Sequence, residues 1–208
     1  MEVDSREEQL FLYYIEELKE HGYIAEAVYH PQSYELAPET YVQAFTATKK
    51  GNGYKDIPLL KKHVYTADWS ILWNPIAKGI FYWEKGGVYK EGFFPYSSRK
   101  HDNYIPFYGM KSVVDIKGGF VGRNNTSGIT FPLNQKWVMR QYGDLVQKVV
   151  VSLDSKGLFY KTFTPRVVIE NEVYQTNGKT WTKGESKLKY EPITLDEYIG
   201  KKVGGIIS

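Results

Sequence analysis

The run Ser112-Val113-Val114-Asp115-Ile116-Lys117-Gly118-Gly119 places an acid and an amine two residues apart inside an apolar segment that ends in two glycines. Its composition predicts a β-strand. Because successive strand side chains point to opposite faces, we expect Asp115 and Lys117 to share one face. Val114 and Ile116 then share the other. Burying an acid and a base in mid-strand costs free energy unless something pairs with them, so this strand predicts a catalytic or metal-binding site.

The spacing of an acid, any residue and a lysine is not by itself informative. It also occurs at Glu17, Asp154 and Glu185, which lie in a helical pattern, a turn and a polar stretch. Only Asp115 lies inside an apolar strand. The alternative is that Asp115 and Lys117 form an ion pair exposed to water at a strand edge.

Composition excludes several kinds of site. The chain has 208 residues, no cysteine and four scattered histidines, so disulfides, thiolate zinc sites and cysteine nucleophiles are excluded. No stretch approaches the roughly 18 apolar residues that span a bilayer. The first residues are acidic, where a signal peptide would be basic and then apolar. We therefore expect a soluble, cytoplasmic protein that makes no membrane contact.

Basic residues are clustered, although the net charge is only +3. Residues 1–20 carry seven acids against two basic residues, so the rest of the chain is strongly positive. Basic clusters with interleaved aromatic residues favour a polyanionic partner, while solvation of an ordinary surface is the alternative. The candidate nucleic-acid contacts are Lys49, Lys50, Lys61, Lys62, Arg99, Lys100 and Lys111.

Periodicity predicts mixed α and β structure. Ser5 and Glu8 fit a capping box at the start of a helix that runs to about His21. The remaining predicted elements follow in chain order. They are a strand at Ala25–Leu36, a loop at 46–61, a strand at Val64–Trp73 with a hairpin partner at Gly79–Glu84, an aromatic and basic insertion at 85–109, a helix at Pro132–Tyr142 and a strand at Gln147–Leu153.

The C-terminal part, residues 154–208, differs in character from the rest. Two strand-like runs are predicted at Leu158–Phe163 and Arg166–Tyr174, and a short helix at Thr194–Ile199. We expect a β-rich extension packed on the main domain. A mobile tail from about Lys179 is the alternative.

A second embedded acid, Asp68, lies in the run Tyr65-Thr66-Ala67-Asp68-Trp69. Helix residue Glu8, strand residue Asp68, the Asp115 and Lys117 strand, and helix residue Gln135 together resemble the PD-(D/E)xK nuclease superfamily. The resemblance covers about residues 5–153, and phage-type and Holliday-junction resolvase-like members are the most similar in motif. The chain departs from that pattern in two ways. Ala67 stands where the motif usually has proline, and the long acid-to-acid spacing requires an insertion at about residues 74–110.

The resemblance implies a restriction-endonuclease-like fold. This is a mixed β-sheet flanked by helices in α-β-β-β-α-β order, formed by residues 1–153 and followed by the extension at 154–208. It also implies site roles. Asp68, Asp115, the Ile116 carbonyl and Glu8 would hold Mg²⁺, for which Mn²⁺ would substitute, since Mg²⁺ prefers oxygen ligands.

The same resemblance assigns Lys117 to the attacking water or the developing charge, and Gln135 to orienting the site. Blander interpretations exist for each acid and for Gln135. Glu8 is explained by the capping box alone, Asp68 by an ordinary exposed strand position, and Gln135 by a solvated helix face.

The expected function is a metal-dependent endonuclease that hydrolyses DNA phosphodiester bonds; junction or branched DNA is one candidate substrate, and duplex and single-stranded DNA remain open. The resemblance suggests a phage or mobile-element protein acting in a bacterial host cell, and a homodimer by analogy with resolvases. Two alternatives remain open. One is a catalytically inactive module of the same fold that binds nucleic acid or protein, and the other is a β-rich structural protein whose 18 tyrosines serve packing or glycan contacts.

Overall fold

The structure is a computed structural model, and it describes most of the chain. The described residues are 2–48, 51–82, 93, 111–118, 126–170, 174–176, 179–181 and 188–204. The helices are α1 (Arg6–Glu20), α2 (Thr126–Tyr142), α3 (Leu158–Lys161), α4 (Arg166–Ile169) and α5 (Leu195–Gly204). The strands are β1 (Ile24–Tyr29), β2 (Tyr34–Ala37), β3 (Thr40–Thr48), β4 (Gly51–Leu60), β5 (His63–Tyr65), β6 (Trp69–Trp73), β7 (Lys111–Gly118), β8 (Val146–Val151), β9 (Tyr174–Thr176) and β10 (Lys179–Trp181).

A four-stranded mixed sheet lies at the centre of the molecule, in the order β1-β6-β7-β8. β6 pairs antiparallel with both β1 and β7, while β8 runs parallel to β7. A parallel neighbour requires a crossover connection, and the segment between β7 and β8 contains α2. In chain order, the elements of this layer and its covering helices are α1, β1, β6, β7, α2 and β8. The sheet is mixed, and a helix packs on each of its two faces.

Strand alternation divides β7 between two apolar clusters. Val114 and Ile116 pack with Trp69 and the buried face of α1 in the larger cluster. Val113 packs with Val146 and the α2 residue Val138 in the smaller one. The predicted division of β7 is therefore found, and Asp115 and Lys117 lie on the α2 side by alternation.

Helix α1 begins where the capping residues predict. The Ser5 hydroxyl accepts a hydrogen bond from the amide of Glu8 at 3.2 Å, which satisfies one of the free N–H groups of the first turn. Phe11, Tyr14 and Leu18 recur along one face and are fully buried. The helix ends at Glu20, before His21 and Gly22, and Gly22 has φ +77°.

The predicted strand at Ala25–Leu36 is two strands, β1 and β2. The chain turns sharply at His30, which has φ 45°, and Pro31 follows it. β1 joins the central sheet, whereas β2 pairs antiparallel with β5 in a separate two-stranded sheet. The alternation of residue types continues across the turn, which is why the sequence suggested one element.

The predicted loop at 46–61 is wrong. β3 and β4 form a regular antiparallel hairpin in which Phe45 lies opposite Tyr54 and Thr48 opposite Gly51. Gly51 adopts φ +138°, a conformation that favours glycine at the turn. The glycines and lysines that suggested a loop therefore mark only the turn of a long ribbon.

The predicted strand at Val64–Trp73 is interrupted at Asp68, with β5 before it and β6 after it. Asn74-Pro75 leads into a single 3₁₀ turn at Pro75–Ala77. The hairpin partner predicted at Gly79–Glu84 is not found in its described part, 79–82, which makes only isolated bridges. Within 85–109 only Phe93 is described, and it is buried in the main core.

Helix α2 begins six residues before the predicted start, and Pro132 lies inside it. The strands predicted at 158–163 and 166–174 are replaced at 158–161 and 166–169 by two single-turn helices, α3 and α4, and among their described residues only Tyr174, at the end of the second run, is a strand residue, the first of β9. Phe159, Phe163 and Val168 from this region join the main core around Tyr14. α5 corresponds to the helix predicted at Thr194–Ile199 and extends it to Gly204.

No helix among the described residues combines the length and hydropathy needed to cross a membrane.

Candidate active site

Asp68 lies opposite Asp115 where β6 meets β7. Trp69 pairs with Val114 in the antiparallel ladder, which brings the preceding residue, Asp68, close to Asp115, and the charge of Asp115 acts on Asp68. The Oδ2 atom of Asp68 accepts a hydrogen bond from the backbone N–H of Ile116 at 2.5 Å. Two acids that are 47 positions apart in the chain are thus brought side by side by strand pairing.

Asp115 is a buried acid, with 4% of its surface exposed. The hydroxyl of Tyr65 donates a hydrogen bond to its Oδ1 at 3.2 Å. Burial and the Asp115 charge both raise the pKa of Tyr65 far above its ordinary value, so the phenol remains a hydrogen-bond donor. Tyr65 therefore fixes one oxygen of this carboxylate from β5.

The other oxygen of Asp115 faces Lys117. The Lys117 Nζ lies 2.5 Å from Oδ2 in a largely buried ion pair. None of the described donors, however, reaches Oδ2 at hydrogen-bonding angles, and the atom is inaccessible to solvent. The described partner of this oxygen is therefore the Lys117 ammonium, and a cation bound at Oδ2 would have to share the carboxylate with Lys117 or displace it.

The pKa of Asp68 is raised to about 6. Burial is the largest cause, followed by the negative charge of Asp115. The Ile116 N–H and the Lys117 ammonium lower the pKa, and the charge of Glu8 raises it. Like charges held together in a desolvated site are the arrangement that a bound cation stabilises.

Glu8 lies close enough to this site to act on Asp68 electrostatically, but its hydrogen bonds go elsewhere. Its Oε2 accepts from the Tyr29 hydroxyl at 2.5 Å and from the Asp4 amide at 3.2 Å, while the Ser5 hydroxyl donates to its Oε1 at 2.8 Å. The predicted capping box is present with one difference, because Glu8 receives the amide of Asp4 instead of that of Ser5. Glu8 thus joins the start of α1 to the end of β1.

The end of β7 lies against the first turn of α1. A Cβ atom on Gly118 would be 3.0 Å from the Glu7 Oε1. This contact places the first turn of α1, which also carries Glu8, beside the strand that carries Asp115 and Lys117.

Gln135 is not joined to the acids. Its Nε2 donates to the carbonyl of Val146 at 2.6 Å, which ties α2 to the beginning of β8. Among the described residues, no hydrogen bond links Gln135 to Asp68, Asp115 or Glu8. Its observed contact is that of a structural residue.

A second group of possible metal ligands adjoins the acids. One ligand atom each from Asp4, Glu8 and His30 lies within 4.8 Å of the others. The His30 amide also donates to the carbonyl of Asp68 at 2.9 Å, so the two groups are neighbours. Sequence reasoning missed His30, and missed Tyr29 and Tyr65, because their distance along the chain gives no signal of the contact.

The donor set at Asp68 and Asp115 fits a hard divalent cation. Both side chains offer oxygen, the ligand that Mg²⁺ and Mn²⁺ prefer. The observation that supports this fit is the buried Oδ2 of Asp115, which lies beside the Lys117 ammonium but has no described partner at hydrogen-bonding angles. The ion would be held by the carboxylates of Asp68 and Asp115 and by the carbonyl oxygen of Ile116.

The candidate nucleic-acid contacts are only partly described. Lys61 and Lys111 are exposed. Lys62 is exposed but forms an ion pair with Glu35 at 2.7 Å. Lys49, Lys50, Arg99 and Lys100 lie outside the described residues.

Comparison of the chain with protein-family models, curated proteins and solved structures finds no match.

Proposed function

We propose that this protein is a metal-dependent nuclease that hydrolyses DNA phosphodiester bonds at the Asp68 and Asp115 site, on a fold of the restriction-endonuclease type. One observation carries the proposal. Asp68, which directly precedes β6, and Asp115 on β7 lie close together in a desolvated site beside the Lys117 ammonium, and the pKa of Asp68 is raised to about 6. A site that stabilises bound cation and phosphate explains why these charges are kept together.

In the proposed reaction, water attacks phosphorus while the ester P–O bond breaks, and the leaving oxygen takes up a proton. A bound Mg²⁺ or Mn²⁺ would acidify the water and offset charge on the phosphate. Asp68 and Asp115 would hold that ion, and the Ile116 N–H and the Tyr65 hydroxyl fix the orientation of the two carboxylates. Lys117 orients the water or stabilises the charge that develops on the phosphate oxygens.

The test is cleavage of a supercoiled plasmid, a four-way junction and single-stranded DNA with Mg²⁺, with Mn²⁺ and with EDTA. We expect Asp115→Asn to abolish cleavage with little change in volume or fold, and Lys117→Ala to reduce turnover strongly. Asp196→Asn, which changes an exposed acid in α5, is the matched control and should cleave like the wild type. Equal cleavage by Asp115→Asn and wild type would refute the site.

The direct ion pair between Lys117 and Asp115 also favours a second candidate function. This is a module of the same fold that binds nucleic acid without cutting it. In that case the ammonium replaces the cation permanently. Isothermal titration with Mn²⁺ separates the two. The nuclease requires binding that is lost in Asp68→Ala, whereas the inactive module shows no binding that Asp68→Ala removes.

A further inference from the structure

The β3–β4 hairpin, Thr40–Leu60, is a ribbon with two open faces. None of its described side chains is buried. Strands of nine and ten residues extend about 30 Å at 3.3 Å per residue. Two-stranded hairpins are marginally stable in water unless another layer packs on them. The length and exposure of this ribbon therefore indicate that it has a partner.

The ribbon concentrates the exposed apolar surface. It carries seven of the fourteen large apolar side chains that are exposed among the described residues. The seven are Tyr41, Val42, Phe45, Tyr54, Ile57, Leu59 and Leu60. Exposed apolar groups gathered in one place mark an interaction surface.

The ribbon also concentrates positive charge. The ribbon, residues 40–60, contains three lysines and one acid, Asp56, a net charge of +2. Since the whole chain carries +3, the ribbon holds most of the net charge and all other residues together carry +1. A surface of this sign attracts a polyanion and repels a second copy of itself. Charge thus favours nucleic acid over self-association as the partner.

One face of the ribbon is aromatic. Phe45 lies directly opposite Tyr54, and their rings meet edge to face with centroids 5.6 Å apart. They are 59% and 73% exposed, and Tyr41 is on the same face by alternation. Exposed aromatic rings beside lysines are the elements from which proteins build stacking platforms for unpaired bases.

The end of the ribbon opposite its turn is connected to the candidate active site. Its two strands continue from β2 and into β5, which pair with each other through Tyr34 and Tyr65. Tyr65 is the residue that donates to Asp115. A strand of nucleic acid lying along the ribbon would therefore be guided towards Asp68 and Asp115.

We propose that the ribbon is an arm that binds single-stranded DNA, stacking unpaired bases on Phe45 and Tyr54 and delivering the strand to the site. The role in delivery rests on the proposed function, while the binding does not.

The test measures fluorescence anisotropy of a labelled oligothymidine and of a blunt duplex of equal length, in EDTA so that no cleavage occurs. We expect F45A/Y54A to weaken oligothymidine binding about tenfold or more, and duplex binding much less. The matched control is V42A/I57A on the opposite face, which should remain within about twofold of wild type. Thermal melting of both variants checks that the fold is kept.

Charge is tested separately. K49A/K50A/K55A should flatten the dependence of log K on log salt for oligothymidine by about two units, at roughly 0.7 per phosphate contact. An unchanged slope would remove the ribbon from the path of the nucleic acid.

Two results with F45A/Y54A would overturn the arm. One is unchanged oligothymidine binding. The other is a loss of binding that accompanies a change from dimer to monomer in light scattering, which would make the ribbon an interface between copies. Failure of the proposed function would give a different result. The wild type would not cleave DNA, while oligothymidine binding would still be weaker in F45A/Y54A than in the wild type.

Discussion

The β6–β7 site and the β3–β4 ribbon contain similar residue types in opposite surroundings. At the site, Asp115 and Lys117 are largely buried and each polar atom has a defined neighbour. On the ribbon, aromatic and charged side chains project from two strands with no described residue buried. Burial strengthens the interaction between charges and makes an unpaired polar group costly in free energy, so a buried site can carry specific chemistry. The exposed side chains of the ribbon can act only by contacting a partner molecule.

The largest expected difference between the two regions is in packing. Ile71 on β6 is fully buried, while Ile57 on the ribbon is 41% exposed. We expect Ile71→Ala to lower the free energy of unfolding by about 2–5 kcal/mol, because it leaves a cavity beside the site strands. Ile57→Ala should change it by about 0.5 kcal/mol or less. Urea unfolding of both variants measures the comparison. A large loss in Ile57→Ala would show that the ribbon is packed in solution.

The buried ion pair at the site should likewise contribute more to stability than the exposed ion pair beside the ribbon. Lys117→Ala leaves Asp115 as a buried charge without its partner, which we expect to cost about 3 kcal/mol. The double variant D115N/K117A should recover most of that loss, since the remaining side chain is neutral. Lys62→Ala, which removes the exposed pair with Glu35, should leave the melting temperature unchanged. If Lys117→Ala is equally silent, the Asp115 pair is not buried in solution.

Asp68 gives a pH-dependent prediction. Its pKa in the folded chain is about 6, against an ordinary value of 3.8, so between these pH values the folded state binds more protons than the unfolded state. Stability therefore falls as pH rises through this window, and the full cost is present above pH 6. Asp68→Asn removes that cost and keeps an oxygen for the Ile116 N–H. In EDTA it should melt above wild type at pH 8, with the gain fading by pH 4.

A gain in Asp68→Asn that did not depend on pH would contradict the electrostatic origin. The same variant should lose cleavage, because an amide is a poor ligand for a divalent cation. Stability and activity would then move in opposite directions at one residue, as expected where a fold keeps like charges together for function.

Local patterns predicted the parts of the fold that depend on local physics. The cap at Ser5 located α1, and period-two alternation divided β7 correctly between Val114 and Asp115. The same rules failed at the ribbon, where apolar residues occur on both faces and glycines mark only the turn. They also failed at 158–169, where aromatic and β-branched residues suggested strands. Burial of Phe159 and Val168 against the core favours short helices there, so tertiary packing overrides local propensity.

The site was only partly predictable for the same reason. Asp68 and Asp115 were identifiable because an acid in an apolar strand is unusual in any context. Tyr65, Tyr29 and His30 were not, since nothing in the sequence relates them to residues 21 to 50 positions away. Gln135 was assigned by resemblance alone, and its hydrogen bond to Val146 joins it to β8 instead.

The smallest expected effect, and the most discriminating, concerns Glu8. Its carboxylate accepts hydrogen bonds from Asp4, Ser5 and Tyr29. Gln keeps one oxygen, which can accept from Asp4 and Tyr29, and the Ser5 hydroxyl can turn to accept from the new amide. We therefore expect Glu8→Gln to cost about 1 kcal/mol or less, which is within the range for loss of a cap.

Cleavage by Glu8→Gln separates a cap from a site residue. The charge of Glu8 acts on Asp68, so a Glu8 that also orients ligands of the cation should slow cleavage about 10- to 100-fold when it is neutralised, the range found for groups that support metal ligands. The measurement is the initial rate at limiting Mg²⁺, and Glu7→Gln, one position earlier in the same turn, is the control. A wild-type rate in Glu8→Gln would leave Glu8 as a capping residue, and would leave Asp68, Asp115 and Lys117 as the whole of the proposed site.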